Sequence, residues 1–184
     1  MAKKLEKYFI ALVPEGEIQE KASQVKEDLK CKFNLKYALK SPAHITLKMP
    51  FLWNENKETE LVRQISRFSD GLEPFSLKLK GFWHFGNRVI YIGVFNSMEL
   101  NELQSELAKY CQQQLNLVKE LSDRNYKPHM TVAFKDIKSE RFEEYWTFVK
   151  KMKFNEEYLV HQLALLKKVE GKWKVHTYIS FDQG

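Results

Sequence analysis

Pro42-Ala43-His44-Ile45-Thr46-Leu47-Lys48 and Lys127-Pro128-His129-Met130-Thr131-Val132-Ala133 repeat one pattern, with the two histidines 85 positions apart in a chain of 184. Each reads histidine, apolar, threonine, apolar, shortly after a proline. Both stretches are short and rich in strand-forming residues. Strand side chains alternate between faces, so His44 and Thr46 share one face while Ile45 and Leu47 share the other. The same holds for His129 and Thr131 against Met130 and Val132. A single His-x-Thr says little, because most strand histidines are structural. Two copies in matching apolar settings, nearly half a chain apart, point to a duplicated fold with a shared site.

The flanking sequence supports the duplication. Residues 7–13 are aromatic and aliphatic and stop at Pro14, the signature of a buried strand. Residues 15–35 carry Ile18, Ala22, Val25, Leu29 and Phe33 at helical spacing. The first motif, residues 43–49, is a strand fenced by Pro42 and Pro50. A helix is predicted over 58–68, ended by Gly71. Strands over 75–85 and 88–95 follow, joined by Gly86-Asn87. Ser97 is the expected N-cap of a helix over 98–117. A loop is predicted over 121–127, the second motif strand over 129–134, a helix over 140–152, and strands over 158–169 and 172–181 about Glu170-Gly171. Each half thus shows a strand, helix, strand, helix, strand theme, and the expected unit is a single domain, residues 1–184, of two pseudo-symmetric lobes.

Composition narrows the classes. A hydrophobic fraction of 43% with only 7 Gly and 5 Pro excludes a disordered or collagen-like chain. The apolar runs are too short to span a bilayer and the first residues lack the apolar core of a signal peptide, so no membrane association and a cytoplasmic location are expected. Cys31 and Cys111 have no metal or redox spacing and are expected to be buried or half-buried thiols. A net charge of +6 allows a polyanionic partner without demanding one.

If the two motif faces meet, two imidazoles and two hydroxyls line one cleft. That set suits a phosphate diester: the hydroxyls bind non-bridging oxygens, and two histidines on opposite sides of phosphorus serve as base and acid for in-line displacement. Histidine fits because its ordinary pKa near 6.5 allows one neutral and one charged copy near neutrality. Lys48, Lys127 and Lys135 are candidate substrate contacts, although a strand-end lysine is more often simply solvated. Phe51, Trp53, Trp83, Phe85 and Tyr178 are weaker candidates for base stacking. His84, His161 and His176 lack the threonine and read as structural or surface residues. The motifs contain no carboxylate and no metal-ligand spacing, and the chain has no phosphate-binding glycine loop, so neither metal nor cofactor is expected.

The paired motifs resemble those of the two-histidine (2H) phosphoesterase superfamily, which includes the LigT-type 2′-5′ RNA ligases, also known as RNA 2′,3′-cyclic phosphodiesterases. Tyr8-Phe9-Ile10-Ala11-Leu12-Val13-Pro14 and Arg88-Val89-Ile90-Tyr91-Ile92-Gly93-Val94 resemble that family's first and mid-chain strands. The resemblance implies a duplicated, bilobal α+β fold, with two antiparallel sheets facing across a central cleft and helices outside. It implies a metal-independent phosphodiesterase acting on a 2′,3′-cyclic phosphate or 2′,5′ linkage of RNA or a nucleotide. In it His129 would activate water, His44 would protonate the leaving oxygen, and Thr46 and Thr131 would hold the phosphate. A monomer is expected. A module that binds RNA ends without chemistry, or a protein that runs the ligase direction, is the alternative.

Overall fold

The alternation of buried and half-buried residues along the two motifs is present in the computed structural model, which describes residues 4–181. Chain order is β1 (Leu5–Leu12), α1 (Gly16–Phe33), β2 (Ile45–Asn54), α2 (Glu58–Ser69), β3 (Phe75–Phe85), β4 (Val89–Val94), α3 (Met98–Gln114), α4 (Leu121–Arg124), β5 (His129–Phe134), α5 (Phe142–Val149), β6 (Asn155–Val160), β7 (Gln162–Val169) and β8 (Lys172–Ser180). The fold is α+β. Ser97 caps α3 as expected, accepting the Leu100 amide at 3.1 Å.

The strands pair antiparallel in the order β6-β3-β4-β5-β2-β1-β7-β8. The two antiparallel sheets expected to face each other are the two halves of one eight-stranded sheet. The two four-stranded halves are joined by one ladder pair, Ile45 opposite Met130, into a continuous sheet. That seam lies between the two motif strands. Only His161 separates β6 from β7 along the chain, yet they lie six places apart in the sheet, so the sheet curls strongly and brings its halves toward each other.

Three boundaries depart from the sequence reading. The strand expected over 158–169 is two strands, because β6 pairs with β3 in one half and β7 with β1 in the other. Pro50 does not end β2: the β1 partners step from Ile10–Lys48 to Tyr8–Phe51, and the extra residue in β2 absorbs the missing amide donor. The stretch 121–127 contains the short helix α4, with the Glu120 and Asp123 side chains forming a reciprocal cap.

The main core fills the space between the sheet and the helices, with Ile45 and Met130 fully buried at its centre. A smaller apolar cluster lies on the opposite, cleft face of the sheet: Phe9, Ala11, Val13, Ala164 and Leu166, flanked by Trp173, Val175 and Tyr178. Among the described residues no helix is long and apolar enough to cross a membrane.

Candidate active site

Both motifs carry the same irregularity directly after their threonine. On the β1 side, Ala11 faces Thr46 and Ile10 faces Lys48, so Leu47 is an extra residue in β2. On the β4 side, Tyr91 faces Thr131 and Ile90 faces Ala133, so Val132 is an extra residue in β5. Each is a β-bulge, which shifts the alternation by one place. Leu47 and Lys48 therefore both enter the core side, as do Val132 and Ala133, and all four are at most 2% exposed.

This overturns the expectation for Lys48. Ideal alternation would aim it at the cleft or leave it in solvent. The bulge instead turns it inward, where its Nζ donates to Asp123 Oδ2 at 2.7 Å and to the Val118 carbonyl at 2.7 Å. Asp123 Oδ2 also accepts the Glu120 amide at 2.8 Å. Lys135 is exposed just beyond β5, in a left-handed conformation, with its ammonium 3.1 Å from the Tyr37 hydroxyl and 4.7 Å from the Tyr37 ring centre. Lys127 is exposed on the wall of a cavity beside His129.

His44, Thr46, His129 and Thr131 remain half-buried on the cleft face. Extending the antiparallel register about Ile45–Met130 by one residue sets Thr46 opposite His129 and His44 opposite Thr131. Directly opposed Cβ atoms in such a sheet lie about 4.5–5.5 Å apart and diagonal ones about 7–8 Å. The imidazoles thus occupy one diagonal of a four-residue array and the hydroxyls the other.

The two rings are held alike. His44 Nδ1 lies 2.7 Å from the Pro42 carbonyl, and His129 Nδ1 lies 2.7 Å from the Lys127 carbonyl. A carbonyl only accepts, so each Nδ1 carries the proton and each Nε2 is left to exchange one. Phe9 packs on His44 at 4.9 Å, and Phe85 and Tyr91 edge onto His129 at 5.1 and 5.4 Å between ring centres.

Two polar side chains of α1 fix the approach to His44. The Gln19 amide donates to the Pro14 and Ala43 carbonyls and accepts the Ala43 amide. The buried Lys26 ammonium donates to the Ala38 and Ser41 carbonyls, at 3.2 and 3.0 Å. Burial lowers its pKa to about 8. At the far end of β5, Asp136 accepts the Lys36 and Tyr37 amides at 2.7 Å each, tying that strand to the segment before the first motif. Sequence reasoning missed all three. Lys26 left one signal, since it stands four residues after Ala22 within the apolar stripe of α1; Gln19 and Asp136 act through backbone groups and left none.

Burial dominates the electrostatics of the pair. Desolvation lowers His44 to about 4, against the raising effect of its Pro42 bond, with the Lys26 and His129 charges adding to the fall. His129 is lowered by the same cause, opposed by its bond to Lys127. Burial thus favours the neutral form of both rings in the free protein.

Between the motifs and α4 lies a cavity of about 270 Å³, whose walls include Thr46, Met49, Phe85, Asn125, Tyr126 and His129. Phe51 and Trp53, by contrast, pack against the main core and not the cleft. His84 packs on Phe142 and Trp146, and His176 faces Glu58 at 3.3 Å. Cys111 is buried as expected; Cys31 is exposed, because it falls on the solvent side of α1. Among the described residues no three His, Cys, Asp or Glu side chains gather as metal ligands would.

The family model described as the 2′-5′ RNA ligase superfamily matches residues 14–172. The chain belongs to that superfamily. Relatives in Bacillus include a protein of B. licheniformis, 27% identical over 172 residues and covering 92% of this chain and 95% of that one. Another, from B. pumilus, is 28% identical over 182 residues, 97% of this chain and 99% of that one. Both bear the name "Putative phosphoesterase". Among solved structures, E. coli LigT in its apo form superposes with a TM-score of 0.64 at 18% identity, over 98% of this chain and 99% of LigT. The protein TT0787 of Thermus thermophilus gives 0.64 at 16% identity, over 97% and 100%. These structures share the LigT-like fold.

Proposed function

We propose that the protein is a metal-independent phosphodiesterase that opens a 2′,3′-cyclic phosphate, or cleaves a 2′,5′ linkage, on RNA or a nucleotide. One observation carries the reading: two imidazoles with identical Nδ1–carbonyl anchors and two threonine hydroxyls meet on one face, across the single ladder pair that joins the halves. Membership of the 2′-5′ RNA ligase superfamily supports it, as do the phosphoesterase names of the Bacillus relatives. E. coli LigT has been solved in complexes with 3′-AMP and with phosphate, which suits a phosphate-binding cleft here.

In this mechanism the chain acts as one domain of two lobes, each supplying one motif. Thr46 and Thr131 donate hydrogen bonds to the non-bridging oxygens. A neutral Nε2 removes a proton from water as its oxygen attacks phosphorus, and the protonated Nε2 on the other side delivers a proton to the leaving ribose oxygen. Family resemblance gives His129 the role of base and His44 that of acid, and the like anchoring of the two rings leaves an Nε2 free on each for that exchange. Lys127, exposed beside His129, is placed to attract the phosphate.

The test is turnover of nucleoside 2′,3′-cyclic phosphates and 2′,5′-linked dinucleotides after dialysis against EDTA. Full activity is expected, with His44→Ala and His129→Ala each losing about 10²–10⁴-fold in rate. Tight binding of the same nucleotides with no turnover would establish a binding module instead. Activity restored only by added zinc or manganese would overturn the metal-free mechanism.

A further inference from the structure

Beyond His129 the cleft face continues onto β4 and β3 as a run of aromatic rings. Phe85 and Tyr91 lie 4.4 Å apart and both pack on His129. Gly93 is the ladder partner of His129, and Trp83 is the partner of Tyr91. The Trp83 indole covers Gly93: a Cβ built there would come within 2.6 Å of the indole Cδ1 and Nε1, and of the Lys80 carbonyl. Glycine is thus what lets the indole lie down on the sheet. Even so, Trp83 is 56% exposed and nearby Phe95 50% exposed.

These rings border a second hollow, of about 280 Å³, lined by Trp83, Tyr91, Gly93, Phe95, Asn96 and Pro128. Pro128 joins it to the motif, so hollows lie on both sides of His129. Strands are spaced about 4.8 Å apart, so β3 stands about 10 Å from β5. The charge beside the hollow is basic. Lys78 and Lys80 are exposed on β3, alternating with buried Leu77 and Leu79; Glu157 faces Lys78 across the ladder, whereas Lys80 faces Asn155.

An exposed indole on a sheet, a basic side chain beside it and a phosphate site one hollow away form the recognition surface of single-stranded nucleic acid, in which bases stack on rings while cations follow the backbone. We propose that Trp83, with Tyr91 and Phe95, is a stacking shelf for a second base, so that an oligonucleotide end of single-stranded RNA is held more tightly than a free mononucleotide. This rests on the reading of the His44–His129 seam as a phosphodiester site.

The test compares binding of uridine 3′-monophosphate with that of a hexauridylate bearing a 3′-phosphate, by tryptophan quenching and anisotropy. The hexamer is expected to bind at least about fivefold more tightly. Trp83→Ala should bring the ratio close to one, and Trp83→Phe should restore most of it; thermal melts of both variants check that the exposed position leaves the fold intact. Equal affinities in the native protein, or an unchanged ratio in Trp83→Ala, would overturn the shelf. Turnover of uridine 2′,3′-cyclic phosphate by the native protein is scored separately. Its absence would count against the catalytic reading, while the Trp83-dependent ratio alone decides the shelf.

Discussion

At the scale of single residues, His44 couples the proposed chemistry to stability. Its pKa is near 4 in the folded chain and near 6.5 in an ordinary unfolded one. Above 6.5 both states hold it neutral and the buried ring costs nothing in charge. As pH falls from 6.5 toward 4 the unfolded chain takes up a proton that the folded chain refuses, so stability drops, by about 3 kcal/mol in all. His129 contributes in the same direction. Urea midpoints measured at pH 7.5 and 4.5 should therefore fall steeply with acid, and His44→Ala should flatten that fall. The same slope in the variant would place the titration elsewhere. The threonines predict a milder effect. Thr46→Val and Thr131→Val keep the shape and delete one hydrogen bond to a charged oxygen, a loss of about 1.5–3 kcal/mol in single-turnover barrier, well short of the histidine variants.

At the scale of elements, the decisive device is the bulge after each threonine, and no sequence pattern announced it. Period-two alternation put His44, Thr46, His129 and Thr131 on the cleft face, where the structure has them, because a face is a local property of four residues. Lys48 failed because its direction depends on Ile10 and Ala11 in another strand. The split of residues 158–169 into β6 and β7 was illegible for the same reason: hydropathy records burial, but it carries no trace of which neighbour each segment pairs with. The consequence of the bulge is a buried ion pair between the strand of motif one and the helix α4 that leads into motif two, with both side chains 2% exposed. Such a pair adds little net stability, but removing one partner strands a charge and costs about 3–5 kcal/mol. Lys48→Met should accordingly destabilise by that amount in chemical denaturation, whereas Lys48→Met with Asp123→Asn, which removes the charge and keeps the acceptor for the Glu120 amide, should recover most of it. A double variant as unstable as the single would mean that the lysine acts through its stem and not its charge.

At the scale of the whole molecule, the two histidines belong to opposite halves of the sheet, and one ladder pair sets their spacing. Neither half carries both histidines. Burial favours the neutral form of both rings in the free cleft, yet the proposed reaction needs one proton on one of them. A bound phosphate anion supplies what is missing: its charge favours the imidazolium and raises the pKa of the ring that faces the leaving oxygen. Substrate binding should therefore load the acid. The pH dependence follows with a definite sign. The profile of kcat/KM reports the free protein, whose histidines titrate below 6.5, so its bell should peak on the acid side of 6.5; the profile of kcat reports the complex and should peak at higher pH. Binding of inorganic phosphate or uridine 3′-monophosphate at pH 7 should take up close to one proton, read by calorimetry in two buffers of different ionisation enthalpy. No uptake, together with coincident peaks for kcat and kcat/KM, would show that the proton is in place before the anion arrives, and the paired histidines could not then be the groups that desolvation holds neutral.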